Sequence, residues 1–215
     1  MAITLVFETH SITVDNEQGR ATGWLPGQLS ERGRALAREL GRRHSGDQIV
    51  AVFTSDLARA TETASAAFAG APIPLLYDWR LANATTGSAT GCLPPNCTQA
   101  VARTWTSPIL GGESWQQAIT RVGRFLRDLP LRWEGQRILI IGHVATRWGL
   151  DHYLNGVPLE DLIEQDFAWQ EGWEYQLSQP AELTVRHTTS TRLSLRLPVI
   201  HLNRDCRGKG KIAVG

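Results

Sequence analysis

Two histidines and one arginine follow closely after apolar runs of strand length in this sequence. His10 and His143 each come within three residues of the end of such a run, and Arg59 lies in the segment that follows a third. The carboxyl ends of parallel strands meet at one edge of a sheet, so we expect these side chains to converge. Two imidazoles and a guanidinium near helix N-termini suit a phosphoryl group, because arginine and helix amides bind its oxygens and a neutral imidazole can attack phosphorus.

Positioning these side chains requires strands that alternate with helices. Strands are predicted at residues 3–7, 49–53, 72–76 (a short extended piece) and 137–141, with a late antiparallel edge at 173–177, 182–186 and 193–197. Ser30 is the predicted N-cap of one surface helix, and residues 54–56 are predicted to cap another over about 57–68. The alternation predicts an α/β fold, a three-layer α/β/α sandwich with a mostly parallel central sheet.

The chain has 215 residues, which is most simply one domain, 1–215, with one sizeable core. Within it, residues 83–110 are rich in Thr, Gly, Pro and Ala and are predicted to form a long irregular insertion. The tail over about 204–215 is basic and Gly-rich, and we expect it to be flexible.

The composition excludes several function classes. With 22 Lys+Arg against 21 Asp+Glu, the chain lacks the basic field that nucleic-acid binding needs. It has no apolar run of about 18 residues and no signal-peptide pattern, so we expect a cytoplasmic protein without a membrane partner. Three cysteines predict neither a disulfide framework nor a metal site, although Cys92 and Cys97 could pair. The apolar segment 169–173 fits a packed edge or a homodimer interface.

Five blocks of the sequence carry a family pattern. They are residues 9–16 (THSITVDN), 19–33, 55–64 (SDLARATETA), 111–114 (GGES) and 142–143 (GH). In this order and spacing they resemble the histidine phosphatase superfamily, which has a phosphoglycerate-mutase-like fold. The resemblance covers about residues 3–177, and it implies a hydrolase that acts on a small phosphorylated metabolite without a metal or another cofactor.

The resemblance also assigns roles to residues. It implies that His10 is phosphorylated and that His143 and Arg59 help to hold the phosphate. The full set of phosphate-binding candidates is Thr9, Ser11, Asn16, Thr22, Gly23, Arg59, His143 and Val144.

Three positions depart from the family pattern. Thr9 replaces an arginine of the phosphate pocket, and Ser11 replaces the glycine after the nucleophile. Asn83 stands where the family has a glutamate that acts as general acid. An amide cannot give a proton to a leaving alkoxide, although it can hydrogen-bond and orient a substrate. Asn83 therefore stays a candidate catalytic residue in an altered role.

Three hypotheses accommodate these departures. In the first, the protein is a phosphatase whose general acid comes from Glu8, Asp15 or Glu113, or whose leaving group needs no acid. In the second, the scaffold serves another acid/base reaction on a small metabolite, with His10 and His143 as the reacting groups. In the third, it binds a phosphorylated ligand without catalysis.

Overall fold

The computed structural model describes residues 1–20, 22–85, 112–164 and 170–178. The chain divides into two units, Met1–Thr184 and Val185–Gly215, and the second lies wholly outside the described residues. One domain over residues 1–215 therefore stays a prediction. Four further predictions lie outside the described residues and stay predictions. They are the strands at 182–186 and 193–197, most of the insertion (the part after residue 85), the tail, and a bond between Cys92 and Cys97.

One mixed sheet forms the centre of the fold. Its strands are β1 (Ile3–Thr9), β2 (Ala51–Thr54), β3 (Leu75–Tyr77), β4 (Arg137–Gly142) and β5 (Trp173–Leu177). They lie in the order β3-β2-β4-β1-β5. All neighbouring pairs are parallel except β1 and β5, which are antiparallel. The mostly parallel sheet is confirmed, and so is the antiparallel edge strand at 173–177.

Helices connect the strands and cover the sheet. They are α1 (Val14–Glu17), α2 (Glu31–Arg43), α3 (Ala58–Ala67), α4 (Trp115–Asp128), α5 (Pro130–Trp133), α6 (Val144–Asn155) and α7 (Leu159–Glu164), with a short 3₁₀ helix at Trp79–Leu81. Ser30 caps α2 as predicted, since its hydroxyl accepts from the N–H of Gly33 at 3.1 Å. Within the described residues no helix has the length and apolarity to cross a membrane.

Apolar side chains fill both faces of the sheet. One cluster joins strand residues such as Phe7 and Ile140 to Phe125 of α4 and Leu150 of α6. The other joins Val6, Val52 and Leu139 to Leu40 of α2 and Ala64 of α3. Helices therefore lie on both sides of the sheet, and the predicted three-layer architecture is confirmed.

The pleat of β1 decides where its last residues point. Successive side chains of a strand alternate between faces, so Glu8 shares the face of Val6, towards α2, and Thr9 shares the face of Phe7. His10 follows at the carboxyl end of the strand, where its N–H donates to the carbonyl of Gly142 in β4 at 2.9 Å. This bond joins the ends of the two strands that carry the histidines.

The start of α3 differs from the prediction. The helix begins at Ala58, and its N-cap is Leu57, which provides no side-chain hydrogen bond to the helix. Ser55, expected to help cap this helix, instead lies 2.8 Å from the His143 ring through its hydroxyl. Serine is a residue type that often caps helices, and here it holds a histidine.

Candidate active site

His10 is held in one tautomer by the backbone. Its Nδ1 lies 2.8 Å from the carbonyl oxygen of Ser11. Because a carbonyl can only accept, Nδ1 carries the proton and Nε2 keeps its lone pair. That lone pair accepts from Nε of Arg59 at 3.3 Å. The unprotonated nitrogen therefore faces a cation, at the place where an anionic group would bind.

Arg59 is the second residue of α3 and is buried. Its Nη2 donates to the carbonyl of Gly23 at 2.8 Å, and its Nη1 donates to the carbonyl of Leu25 at 3.3 Å. Gly23 has a φ of +55°, which glycine adopts without steric cost. The loop 23–25 thus fixes the guanidinium through two backbone carbonyls. The role of Gly23 in the structure is to hold Arg59.

His143 stands at the N-cap of α6, directly after β4, and is buried. Its Nδ1 lies 3.5 Å from Nη2 of Arg59, which can only donate, so Nε2 carries the proton and donates to the hydroxyl of Ser55. The rings of His10 and His143 have centroids 4.9 Å apart. The structure therefore brings His10, Arg59 and His143 together as predicted, and it adds Ser55.

The cluster carries one positive charge at neutral pH. Burial, followed by the charge of Arg59, lowers the pKa of His10 to about 4. Burial, together with His10 and Arg59, lowers the pKa of His143 well below its usual range. Burial also lowers the pKa of Arg59 to about 10, with Asp15 opposing the shift, so Arg59 stays protonated. Two neutral imidazoles beside one guanidinium supply a nucleophile and a single cation.

The lowered pKa of His10 predicts a pH-dependent stability. The unfolded chain has a His10 pKa near 6.5 and the folded chain has about 4, so the unfolded state binds more protons between these values. The contribution of neutral His10 to the free energy of unfolding is complete above about pH 6.5. It is lost as the pH falls towards 4, and the loss is up to about 3 kcal/mol. We expect His10→Gln to show a correspondingly flatter fall in the free energy of urea unfolding between pH 6.5 and 4.

His44 contributes a pH dependence of stability that is opposite in sign to that of His10, so the wild type must be compared with His10→Gln. The hydrogen bond to Glu8 raises the pKa of His44, so its contribution is complete below about pH 6.5 and is lost as the pH rises through the folded pKa. Subtracting the variant from the wild type removes this term, since both chains keep His44. Parallel curves for the two chains would contradict the assignment of His10 as a neutral base in the folded state.

The loop after β1 is held against α2 and α3. The hydroxyl of Ser11 donates to the carbonyl of Gly33 at 2.7 Å, and its N–H donates to the hydroxyl of Thr63 at 2.9 Å. A Cβ at Gly33 would lie 1.9 Å from the carbonyl oxygen of Ile12, so only glycine permits this approach. The hydroxyl of Ser11 is thus used to position His10. Thr63 was missed, although it lies in the same sequence block as Arg59.

Two other phosphate-binding candidates support the local backbone. Oδ1 of Asn16 accepts from the N–H of Thr13 at 3.0 Å, and the hydroxyl of Thr22 donates to Asp15 at 3.2 Å. Asn16 also lines a cavity of about 370 Å³, and predicted residues Thr9, His10 and Ser11 line it as well.

Asn83 lies at the start of α6, the helix that His143 caps. Its Oδ1 accepts from the N–H of Ala145 at 3.4 Å. Its carbonyl accepts from Nε1 of Trp24 at 2.6 Å and from Nη2 of Arg121 at 2.9 Å. Val144 is the first residue of α6, where backbone N–H groups have no partner within the helix. Asn83 and Val144 therefore both lie at the first turn of the helix that His143 caps.

Glu8, a predicted catalytic residue, is paired with the end of α2. Its carboxylate is buried and lies 2.9 Å from Nη2 of Arg43 and 2.8 Å from Nε2 of His44, both at the end of α2. These two bonds hold the charge on the α2 side of β1, as the strand alternation dictates. Glu8 lines the same cavity of about 370 Å³ as His10, but its carboxylate is paired with α2 and not with Arg59 or His143.

Glu113 is also engaged elsewhere. Oε2 lies 2.8 Å from Nη2 of Arg121, and Oε1 lies 3.0 Å from its Nε. Arg121 is buried and also donates to the carbonyls of Ala82 and Asn83. The pair braces the segment that carries Asn83. Sequence reasoning missed Arg121, because an arginine within a strongly apolar helical repeat gives no signal of its partners.

Of the three predicted acids, Asp15 is the one that acts on the cluster, through its charge on Arg59. The described ranges contain no group of three or more His, Cys, Asp and Glu side chains that could hold a metal ion.

A mostly parallel α/β sheet with two imidazoles and a guanidinium at its carboxyl edge is an arrangement that suits a phosphoryl group. The model of the histidine phosphatase superfamily (branch 1) matches residues 5–189. The chain belongs to this family.

Curated relatives and solved structures agree with this assignment. A 2,3-bisphosphoglycerate-dependent phosphoglycerate mutase of Methylobacterium sp. is 30% identical over 173 residues, which cover 74% of this chain and 83% of the relative. Phosphoserine phosphatase 1 of Hydrogenobacter thermophilus is 25% identical over 165 residues, covering 73% and 78%. YhfR of Bacillus stearothermophilus shares the fold with a TM-score of 0.71 and 24% identity, over 85% of this chain and 100% of that one. The α-ribazole phosphatase of Shigella flexneri has a TM-score of 0.66 and 25% identity, over 75% and 84%. Together they support an enzyme of the histidine phosphatase type.

Proposed function

We propose that this chain hydrolyses the phosphate monoester of a small metabolite through a phosphohistidine at Nε2 of His10. The observation that carries the proposal is the tautomer of this ring. The carbonyl of Ser11 fixes the proton on Nδ1, so the lone pair of Nε2 is directed at Arg59. A nucleophile and the cation that would hold its target are therefore already aligned.

The reaction has two steps. In the first, Nε2 of His10 attacks phosphorus and the bond to the leaving oxygen breaks, while the Nδ1–H bond to Ser11 stabilises the positive charge that develops on the ring. Arg59, His143 and the N–H of Val144 stabilise the equatorial oxygens. In the second step water attacks phosphorus, the P–N bond breaks, and inorganic phosphate and neutral His10 are released.

The charge of the site limits the phosphates that suit it. With Thr9 in place of an arginine, Arg59 is the one guanidinium of the cluster among the described residues, and two of its donors are already bound to Gly23 and Leu25. Loss of one oriented group from such a clamp typically costs about 10²–10³ in rate. We therefore expect weak product inhibition by inorganic phosphate and a slow turnover.

Some relatives with phosphatase names support hydrolysis. The relatives named above include a phosphoserine phosphatase and an α-ribazole phosphatase, together with a phosphoglycerate mutase, so a phosphoryl transfer within the same chemistry is the nearest variant of the proposal. A repurposed acid/base enzyme is the alternative favoured by Asn83 and by the two neutral imidazoles. It predicts no covalent phosphoryl intermediate.

A quenched-turnover experiment tests the proposal. Wild-type protein turning over 4-nitrophenyl phosphate is denatured in alkali, where phosphohistidine survives, and is then digested and mapped by mass spectrometry. We expect an acid-labile phosphoryl group on the peptide that contains His10. Turnover with an unlabelled His10 peptide would contradict the intermediate, and the absence of both turnover and label would favour the repurposed enzyme.

A further inference from the structure

A second cavity, of about 660 Å³, lies beside the segment that carries Asn83. Its volume falls within the roughly 300–1,000 Å³ that is typical of small-molecule sites. The residues that matter here are Trp24, Trp79, Glu113, Gln116, Arg121 and Arg124. None of them has a role in the two-step reaction above.

The cavity and the His10 cluster share one loop. Trp24 stands between Gly23 and Leu25, whose carbonyls hold Arg59. The side chain of Trp24 lines the cavity, and its Nε1 donates to the carbonyl of Asn83 at 2.6 Å. Trp24 and Asn83 thus connect the cavity to the His10 cluster, although His10, Arg59 and His143 do not themselves line it.

Two indoles form the apolar wall of the cavity. Trp24 is 44% exposed and Trp79 is 53% exposed, although both are large apolar side chains. An exposed indole keeps its hydrophobic area unburied, and two of them around one cavity indicate a surface that is covered by a ligand. Aromatic faces of this kind stack most effectively with another flat ring.

The deeper charges of the cavity are already neutralised. Arg121 is paired with Glu113 and donates to backbone carbonyls. The N-terminus of α4 is closed by a capping box in which Ser114 and Gln117 use their side chains on each other's backbone N–H groups. Among the described residues, Arg124 is the cation of this cavity without an ion pair, and it is exposed. The interior therefore suits a neutral ring better than an acidic one.

We infer that the cavity binds the leaving group of the monoester and that this group is an aromatic ring joined to phosphate through a phenolic oxygen. The inference rests on the proposed phosphatase function and identifies its substrate class. Two independent features converge on it: the indole wall, and the amide of Asn83 at the position of the general acid. A phenolate, whose conjugate acid has a pKa of about 10, leaves without help, whereas an alkoxide is a far stronger base and requires a proton.

The chemistry balances without a general acid. The P–O bond breaks as the P–N bond to His10 forms, and the electron pair leaves on the phenolate, which then takes a proton from water. The side-chain amide of Asn83 provides an N–H that can bind the departing oxygen without transferring its proton. The indoles hold the ring in line during this step.

Three substrates separate the requirement for an aromatic ring from the requirement for a good leaving group. Phenyl phosphate has a ring and a good leaving group, benzyl phosphate has a ring and a poor one, and acetyl phosphate has a good leaving group and no ring. We expect phenyl phosphate to exceed benzyl phosphate in kcat by at least about 10²-fold, the lower value of a general acid. Trp79→Ala is expected to raise KM for phenyl phosphate by about 3- to 10-fold while leaving KM for acetyl phosphate unchanged.

The matched control is Tyr77→Ala, because Tyr77 is 57% exposed at the end of β3 and does not line the cavity. Equal kcat for phenyl and benzyl phosphate would overturn the inference. Equal effects of Trp79→Ala and Tyr77→Ala would also overturn it. A third result would overturn the choice of a neutral ring. It is an aryl phosphate with an acidic ring that the wild type and Arg127→Gln hydrolyse faster than phenyl phosphate, but that Arg124→Gln does not.

Binding of a non-hydrolysable probe separates this inference from the proposed function. Phenylphosphonate and methylphosphonate, titrated by calorimetry, require no turnover. Tighter binding of phenylphosphonate, lost in Trp79→Ala, would support the aromatic site even if no His10 label were ever found. Equal affinity of the two phosphonates for the wild type would overturn it even if hydrolysis proceeded through His10.

Discussion

His10→Ala is expected to lower kcat for 4-nitrophenyl phosphate by at least about 10⁴-fold, since removing a covalent nucleophile from other enzymes costs about 10⁶. The ring is the group whose lone pair faces Arg59 at 3.3 Å, and no other imidazole in the described residues combines a backbone-fixed Nδ1 proton with such a contact. We do not expect His143 to take over the attack on phosphorus, because its Nε2 proton is bound to Ser55 and its Nδ1 lies farther from the guanidinium, at 3.5 Å. Steady-state rates and acid-labile phosphate in the same samples measure the loss.

The matched control for this variant is His152→Gln. His152 lies in α6 and has the same kind of contact as His10, with Nδ1 2.9 Å from the carbonyl of Val157, but it is not part of the cluster. We expect His152→Gln to retain wild-type turnover and label. Full activity in His10→Ala would eliminate the phosphohistidine scheme. A similar loss in both variants would indicate damage to folding, which circular dichroism would detect.

The sequence was sufficient for the fold and for the three central groups because both follow from short-range patterns. Apolar runs of strand length separated by helical repeats predict a three-layer sandwich, and strand ends predict where His10 and His143 meet. Arg59 could be placed because it lies one helical turn after a strand. These inferences need only periodicity and the direction of parallel strands.

The partners of charged side chains could not be read from the sequence. Glu8 is two residues before His10, yet strand alternation turns its carboxylate towards Arg43 and His44, which lie about 35 residues later in the chain. Ser55 resembled a helix cap and instead holds His143. In each case the partner is distant in sequence, and only the packing of α2 or β4 against the strand decides the contact.

Near pH 4, where a glutamic acid is still partly protonated, Asn83→Glu is expected to raise kcat for benzyl phosphate by about 10²-fold, since a positioned general acid contributes about 10²–10⁴. The side chain at this position is already directed at the start of α6, where Oδ1 of Asn83 accepts from the N–H of Ala145. A protonated carboxyl there could give its proton to the leaving alkoxide, which the amide cannot do. Phenyl phosphate, whose leaving group needs no proton, should gain little.

The pH profile shows whether the gain comes from proton donation. A helix N-terminus stabilises a negative charge, so it lowers the pKa of the new carboxyl and leaves less of the acid form at neutral pH. We therefore expect the benzyl phosphate rate of Asn83→Glu to fall as the pH rises above about 4, the ordinary pKa of a glutamate. Asn83→Gln is the matched control, because it has the same length without an ionisable proton. Equal gains in the Glu and Gln variants, or a flat pH profile for Glu, would show that side-chain length and not acid catalysis limits the native protein.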